Sequence, residues 1–598
     1  MKFKSIKIKN FRNFEDIYLN LNNKNIIFGR NDFGKTNFLY ALRFLFDPTV
    51  RRNGFQITDY HKRNTDEKII IQVELDISEE NNDNNEFIRA RVREATAFSN
   101  GTLIIQLEGE FDQDKQIGIP ILKWGGVIDE LSEIPQKGIL SLLDNIFEVV
   151  YISPNISPIE LFKKHKSLLY KESKTDMTDE IKEAIEKLNT VISQDSRVQF
   201  INCQLTKKYN EIRKENVEIK LQSEHVVNGV FNHLTPYIHD KFLDENELYP
   251  TSGDGRQKIL AYALTSLIEE LKLKEKGDKR ITIFLMEEIE NSLHPSMQQI
   301  ISRHLFMENR DLYPYLFVTT HSEHMFAYMD EVELIRIYKD PKGKVVNKST
   351  FFKIPEDFKN TRKIFNEKLS DALFYDKVLL VEGMSEKILF ESIVEKLIYE
   401  LATVDSEVIE KIKILSVEGI GFEEYIRILK ALNIKILIKT DNDIKKVQGQ
   451  NKVSLLGIRR CQKINALLEN KEIIDKDLAK PYEYTNLDNF DSMKNKIKKE
   501  IYIMYSSDIE DWRSKGIFLS EISLEEDLEA ALPENHLKEL PFNLTSFLQE
   551  SKKINMNKYV NKYLDVKTAE IIFNDKRFKC LKELVEVDDS DKGNRSTY

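Results

Sequence analysis

The stretch Ile26-Ile27-Phe28-Gly29-Arg30-Asn31-Asp32-Phe33-Gly34-Lys35-Thr36 constrains this chain more than any other part of it. An apolar run enters a GxxxxGK[ST] loop, and a helical pattern through Leu39, Leu42 and Phe44 leaves it. Strand, loop and helix in that order commit the surroundings to an α/β layer with phosphate held at a helix N-terminus. Glycines let backbone N–H groups close around phosphate, Lys35 reaches the outer phosphates, and Thr36 can hold Mg²⁺. ATP is therefore the expected ligand, with Asn31, Asp32, Gly34, Lys35, Thr36 and Asn37 around it.

Such a site needs carboxylates at a second strand end, and Ile281-Thr282-Ile283-Phe284-Leu285-Met286 runs into Glu287-Glu288. Glu287 is expected in the Mg²⁺ shell and Glu288 beside the attacking water. A charged turn after a buried strand would be the better reading without the phosphate loop upstream.

At 598 residues the chain exceeds one core. Short apolar strands alternate with amphipathic stretches from Met1 to about Tyr338, which predicts an α/β domain with a mainly parallel sheet. Residues 157–238 are charge-rich and helical, an insert of the kind that commonly carries subunit contacts, surface decoration being the alternative. Lys339 to Lys344 has turn chemistry, marking a hairpin or a domain edge. The expected division is 1–156 with 239–360, the insert 157–238, and 361–598. The lysine run Lys494 to Lys499 is expected to be a solvated helix face, a DNA contact being the minority reading.

Apolar runs such as Val378 to Val381 are strand-length, far short of the about 18 residues of a membrane helix, and the N-terminus has no signal-peptide pattern. Cys203, Cys461 and Cys580 form no CxxC pair, which argues against a zinc ribbon and a disulfide framework. A cytoplasmic protein without membrane partners is expected. The net charge of -10 excludes a uniformly basic coat while leaving local basic grooves open.

Beyond residue 360 the pattern is βαβαβ: Lys377 to Val381, a helix from Ser385, Ile412 to Val417, Phe422 to Leu432, and Ile434 to Ile438. It places Glu382 after the first strand and Asp441-Asn442-Asp443 after the third. Residues two apart in extended chain point the same way, so Asp441 and Asp443 are expected to face one cation, with Glu382 alongside. Glu386, one helical turn on, can approach the same spot. Oxygen-only donors suit Mg²⁺ or Mn²⁺ and fit phosphodiester cleavage.

The phrases Ile8-Lys9-Asn10-Phe11-Arg12-Asn13-Phe14, the phosphate loop and Glu287 to Pro295 resemble ABC-type ATPase heads of the SMC, RecF and OLD group. The ordered E-G then D-x-D pattern resembles a Toprim domain. Together, over nearly the whole chain, they resemble the OLD family, with Ile289 standing where the family usually has proline. The resemblance implies an ABC-type ATPase head with a helical insert, then a C-terminal Toprim α/β domain. It assigns Ser252, Gly253 and Gly255 to the signature motif and His321 to the switch histidine. It also places Glu525 and Asp527 in the acidic segment completing the metal cluster, with Asp527 ranked first, and gives Lys552 transition-state charge to neutralise. It further implies a nicking DNA endonuclease of anti-phage defence, regulated by ATP, acting on double-stranded phage DNA. A homo-oligomer, dimer or tetramer, and a helicase-like partner belong to the same implication. The alternative is a RecF- or SMC-like repair ATPase whose Toprim fold binds DNA without cutting it.

Overall fold

The computed structural model describes residues 1–79, 82–92, 101–137, 140–171, 179–196, 199–200, 203, 254–274, 280–340, 342–400, 406–418, 421–474, 476–484 and 490–586. The chain divides into two compact units, one of residues 1–152, 280–290 and 295–598, the other of 153–279 and 291–294.

The first unit opens with an antiparallel sheet, which corrects the expectation of a mainly parallel sheet from the first residue. Its strand order is Phe14–Asn20, Lys2–Phe11, Ile69–Asp76, Thr102–Asp112, Ile117–Gly125, Ser132–Glu133. The reason is local: Arg12 adopts a left-handed φ of 50°, and Phe11 pairs with Phe14, so the second strand turns straight back. Ile69–Asp76 alternates buried with half-buried residues, as a sheet covered on one face requires.

The parallel sheet begins at Lys24–Phe28, all buried. This strand lies between Leu316–Thr320 and Val332–Lys339, both parallel to it, and Ile281–Glu287 follows beside Leu316–Thr320. Parallel strands deliver their C-terminal ends to one edge, so the loop after Phe28, the turn after Glu287 and the segment after Thr320 meet there. Lys339 and Val345 close an antiparallel hairpin, with Gly343 at φ 76°. Between the two sheets, the helix Lys35–Phe46 buries Phe38, Leu39, Leu42 and Phe44.

A third sheet is parallel, in the order Ile412–Ser416, Lys377–Val381, Lys435–Thr440, Ile517–Leu519. The expected boundary near 360 does not separate two units. Aromatic packing joins the parts: Phe365 stacks on Phe352, Phe358 and Tyr425, and Phe28 meets Phe374 edge-on. Buried Arg336, on a strand beside the phosphate-loop strand, donates to the carbonyls of Tyr375, Leu432 and Asn433 and to Asp376 at 2.7 Å.

The second unit carries the helices Pro158–Lys171, Asp179–Gln194 and Asp254–Lys274, the first and last in contact. It extends past the 157–238 stretch read as an insert. Among the described residues no helix is long and apolar enough to cross a membrane.

Candidate nucleotide and cation centres

Two positions of the phosphate loop admit only glycine. At Gly29, φ 149°, a Cβ would fall 2.1 Å from the Ile337 carbonyl oxygen; at Gly34, φ 110°, it would meet the Asn13 side chain at 2.0 Å. Asn13 Nδ2 donates to the Phe33 carbonyl at 2.6 Å and its Oδ1 accepts from Asn37 at 2.8 Å. Arg12 donates to Asn37 Oδ1 at 3.0 Å and Asp59 at 2.9 Å. Asn37 thus braces the loop against the first hairpin. Asn31 and Asp32 are exposed, and Thr36 is half-buried at the second position of the helix.

Buried Lys35 folds back, its Nζ 2.9 Å from the Arg30 carbonyl and 3.2 Å from that of Gly29. Burial brings its pKa down to about 8, against the pull of Glu288, Glu290 and Asp32. Glu287 is buried and accepts from the Tyr151 hydroxyl. Glu288, at φ 42°, is held by its N–H on the Thr319 carbonyl, 3.1 Å, and its Oε1 lies 3.1 Å from His321 Nε2. Burial and Lys35 lower the His321 pKa, keeping the ring neutral at pH 7. The His321 N–H donates to Glu290 Oε1 at 2.6 Å, while among the described residues Glu290 Oε2 is buried without a hydrogen bond, and burial raises the pKa of the carboxyl. Glu290 is the acid sequence reasoning passed over; its signal is a third carboxylate two residues after Glu288. Ile289 sits fully buried in this turn. Ser252 and Gly253 lie outside the described residues, and Gly255 is in the first turn of the helix Asp254–Lys274 of the second unit.

In the third sheet, Glu382 leaves the strand Lys377–Val381, and Glu386 lies buried in the first turn of the helix Met384–Tyr399. Glu382 Oε1 accepts from the Asp441 N–H at 2.8 Å and from the Thr440 hydroxyl. Asp441 Oδ1 accepts from Ser520 at 3.1 Å. Burial, then Glu386, Glu382 and Glu525, raise the Asp441 pKa well above the usual carboxylate range. Burial, then Glu382 and Glu525, likewise raise that of Glu386. Burial pushes the Glu525 pKa upward, but the Ser523 hydroxyl and Lys552, 3.1 Å away, prevail and hold it below normal. Glu382, Glu386, Asp441 and Glu525 are thus near enough to feel one another's charge, with Lys552 against Glu525.

Two expectations change. The strand ends at Thr440, and the Asp443 N–H turns onto the Asp441 carbonyl at 3.0 Å, so two-residue alternation no longer applies. Buried Asn442 anchors the turn through the carbonyls of Lys498 and Glu521, and Asp443 leans onto Arg460 at 3.1 Å. Asp527, ranked above Glu525, is spent elsewhere: its oxygens take buried Lys439 at 3.1 Å and the Glu521 N–H at 3.1 Å. Glu525 therefore stands where Asp527 was expected. Lys498 of the lysine run is buried too, donating to the Ile522 carbonyl at 3.0 Å. Arg460 was missed altogether, because Arg459-Arg460 inside the helix Leu456–Leu468 reads as an ordinary basic pair.

The hard oxygen donors suit Mg²⁺ or Mn²⁺ in chemistry. Among the described residues, however, no three His, Cys, Asp or Glu side chains are gathered closely enough to hold an ion as they stand.

Comparison with known proteins gives a consistent picture. Residues 1–124 and 125–326 match the AAA ATPase domain, and residues 373–443 the TOPRIM domain of overcoming lysogenization defect protein-like chains. The chain is 39% identical to Endonuclease GajA of Bacillus cereus strain VD045 over 98% of its own length and 100% of the relative's. To the Old nuclease of Escherichia phage P2 it is 24% identical, over 83% of this chain and 86% of that one. Among solved structures, the C-terminal region of the Burkholderia pseudomallei OLD protein aligns with 36% of this chain and 87% of its own, at 18% identity and a TM-score of 0.17.

Proposed function

The chain belongs to the OLD family of AAA ATPase–Toprim nucleases, and from that premise we propose that it is a metal-dependent DNA endonuclease of anti-phage defence whose ATPase head controls the Toprim cleavage site. Its fold is α/β, an AAA ATPase domain followed by an OLD-like Toprim domain. The observation that carries the reading is the shared electrostatic neighbourhood of Glu382, Glu386, Asp441 and Glu525, where burial first and the neighbouring carboxylates second raise the pKa values of Glu386 and Asp441. That is an arrangement calling for cationic charge.

Glu382, Glu386, Asp441 and Glu525 would hold Mg²⁺ or Mn²⁺, with Asp443 nearby; Asp527 supports the fold behind them. A bound ion supplies Lewis acidity and a water of lowered pKa. Lys552, 58% exposed at its side chain, can follow the charge of a scissile phosphate while tethered to Glu525. At the other centre, Thr36 and Glu287 would hold the Mg²⁺ of ATP. Glu288 would orient the attacking water, and His321, 3.1 Å from Glu288, would sense the γ-phosphate through it.

Nucleotide control has a covalent and hydrogen-bonded basis. Arg30 of the phosphate loop donates to the Glu410 carbonyl, just before the strand Ile412–Ser416. That strand's continuation, Val417 and Glu418, donates to the carbonyls of Val381 and Glu382 at 2.9 and 3.0 Å. We take ATP occupancy to restrain cleavage and its depletion during infection to release it. Nicking of double-stranded phage DNA, a homo-oligomer and a helicase-like partner, GajB, follow from the same reading.

The test is cleavage of supercoiled DNA with Mg²⁺ or Mn²⁺ by the intact protein, Glu382→Ala and Asp441→Ala. Cutting lost in both variants supports the reading; undiminished cutting overturns it. DNA binding without cutting by the intact protein would favour a RecF- or SMC-like ATPase, the reading that fits the ungathered carboxylates as they stand.

A further inference from the structure

Around the Toprim carboxylates, one cation is built differently from the rest. Arg460 spans two acids that belong to separate segments: Nη1 donates to Glu382 Oε1 and, at 2.6 Å, to Thr440 Oγ1, while Nη2 donates to Asp443 Oδ2 at 3.1 Å. Only a planar fork with two outward nitrogens makes such a bridge; a lysine ammonium is a point charge. The bridge is also solvent-accessible, with side chains 29% exposed at Arg460, 27% at Glu382 and 42% at Asp443. The neighbouring Lys439–Asp527 pair, by contrast, is 2% exposed on each side and closed to exchange.

We propose that Arg460 is a resident counter-ion that must leave Glu382 and Asp443 before a divalent cation can take them. The proposal rests on the reading that these carboxylates are the metal site, and it accounts for their not being gathered in the structure. Arg460 has somewhere to go. A cavity of about 800 Å³ opens beside it, lined by Glu382, Glu423, Glu424, Arg459 and Lys463 among others, so Glu423 of the helix Glu423–Ala431 offers a further carboxylate, beside Glu424, which is paired with Arg427 at 3.2 Å. Lys498, 4.0 Å from Asp443 Oδ1, is buried and bound to the Ile522 carbonyl, so it cannot replace Arg460 across both acids. The cation then binds with its intrinsic affinity reduced by the fraction of molecules in which Arg460 has released the pair.

The experiment is Mn²⁺ binding to the full chain without nucleotide, read as the loss of the free-Mn²⁺ electron paramagnetic resonance signal. It compares the wild type with Arg460→Gln, Arg460→Lys and, to mark the site, Glu382→Gln. Arg460→Gln is expected to bind Mn²⁺ roughly five- to tenfold more tightly, the scale of a partly exposed guanidinium bridge to two carboxylates. Arg460→Lys should fall between it and the wild type, because the charge stays and the bridge is lost. Affinity in Arg460→Gln equal to or below wild type overturns the proposal, as does a lysine variant identical to wild type, which would leave only long-range charge. Should the glutamine variant fail to fold, the lysine variant decides alone. No Mn²⁺ bound to the wild type or any Arg460 variant would overturn the metal-site reading itself, and the proposal with it.

Discussion

At the ATPase edge, Glu288 and Glu290 both pull on Lys35, and Glu288 lies against His321; at the Toprim edge, Glu382 with Asp443, then Glu525, then Asp527 are held by cations from other segments, respectively Arg460, Lys552 and Lys439. The first centre sets two carboxylates and a histidine around Lys35, and among the described residues Glu290 Oε2 is buried without a hydrogen bond. The second arrives already neutralised along most of its rim, while Glu386 and Asp441 at its middle carry raised pKa values. The ATPase edge is therefore built to gain charge partners on binding, and the Toprim edge to exchange them at its solvent-accessible Arg460 and Lys552, the buried Lys439–Asp527 pair excepted.

The contrast breaks first at Lys439. Lys439→Met leaves Asp527 buried and unpaired and is expected to cost about 3–5 kcal/mol in denaturant unfolding, whereas Lys552→Met, where the lysine is exposed and buried Glu525 keeps the Ser523 hydroxyl, should cost clearly less, about 1–2 kcal/mol. Equal losses would mean the two cations are not different in kind.

The next largest effect separates two neighbouring acids. Glu525→Gln should lower DNA cleavage by at least roughly 100-fold, as loss of a cluster carboxylate, while Asp527→Asn should show mainly as lowered stability. Reversed results, measured by plasmid nicking alongside unfolding midpoints, would restore the order expected from the sequence.

A third prediction concerns pH. Lys35 titrates near about 8 in the free protein, below the usual lysine value. The protonated form binds phosphate, so above that pH binding must take up a proton. ATP affinity should then fall by up to about tenfold per pH unit between pH 8 and 9. In Lys35→Arg, which stays charged, the slope should vanish. A flat wild-type profile by calorimetry would show that burial does not set this lysine's charge.

The smallest effect is expected at Asn37. Because its side chain is taken by Arg12 and Asn13, Asn37→Ala should weaken ATP binding only about two- to fivefold, through two lost bracing hydrogen bonds that do not touch the nucleotide, against far more for Lys35→Ala. Equal losses would make Asn37 a direct nucleotide contact.

What the sequence disclosed follows the same division. The nucleotide centre is contiguous text, since GxxxxGK[ST] and the acids after an apolar strand are fixed by strand-loop-helix geometry. The hairpin at Lys339 to Lys344 and the βαβαβ order beyond 360 were legible in turn chemistry and periodicity. The antiparallel first sheet was not, because short alternating strands look alike whichever way they pair, and only the tight return at Arg12 decides it. At the Toprim centre, Glu382, Glu386 and Asp441 were legible as strand-end acids. The Asp443 geometry failed because the strand ends one residue before the motif. The choice between Glu525 and Asp527 is set by Lys439, 88 residues from Asp527, a pairing no local pattern announces.

The account's central claim is that nucleotide at the head governs cutting at the Toprim carboxylates. It is tested most directly by nicking of supercoiled DNA in Mg²⁺ across an ATP titration, wild type beside Lys35→Ala. The account predicts cutting that declines as ATP saturates the wild type and stays constant in the variant. Identical cutting by the wild type with and without saturating ATP would contradict it.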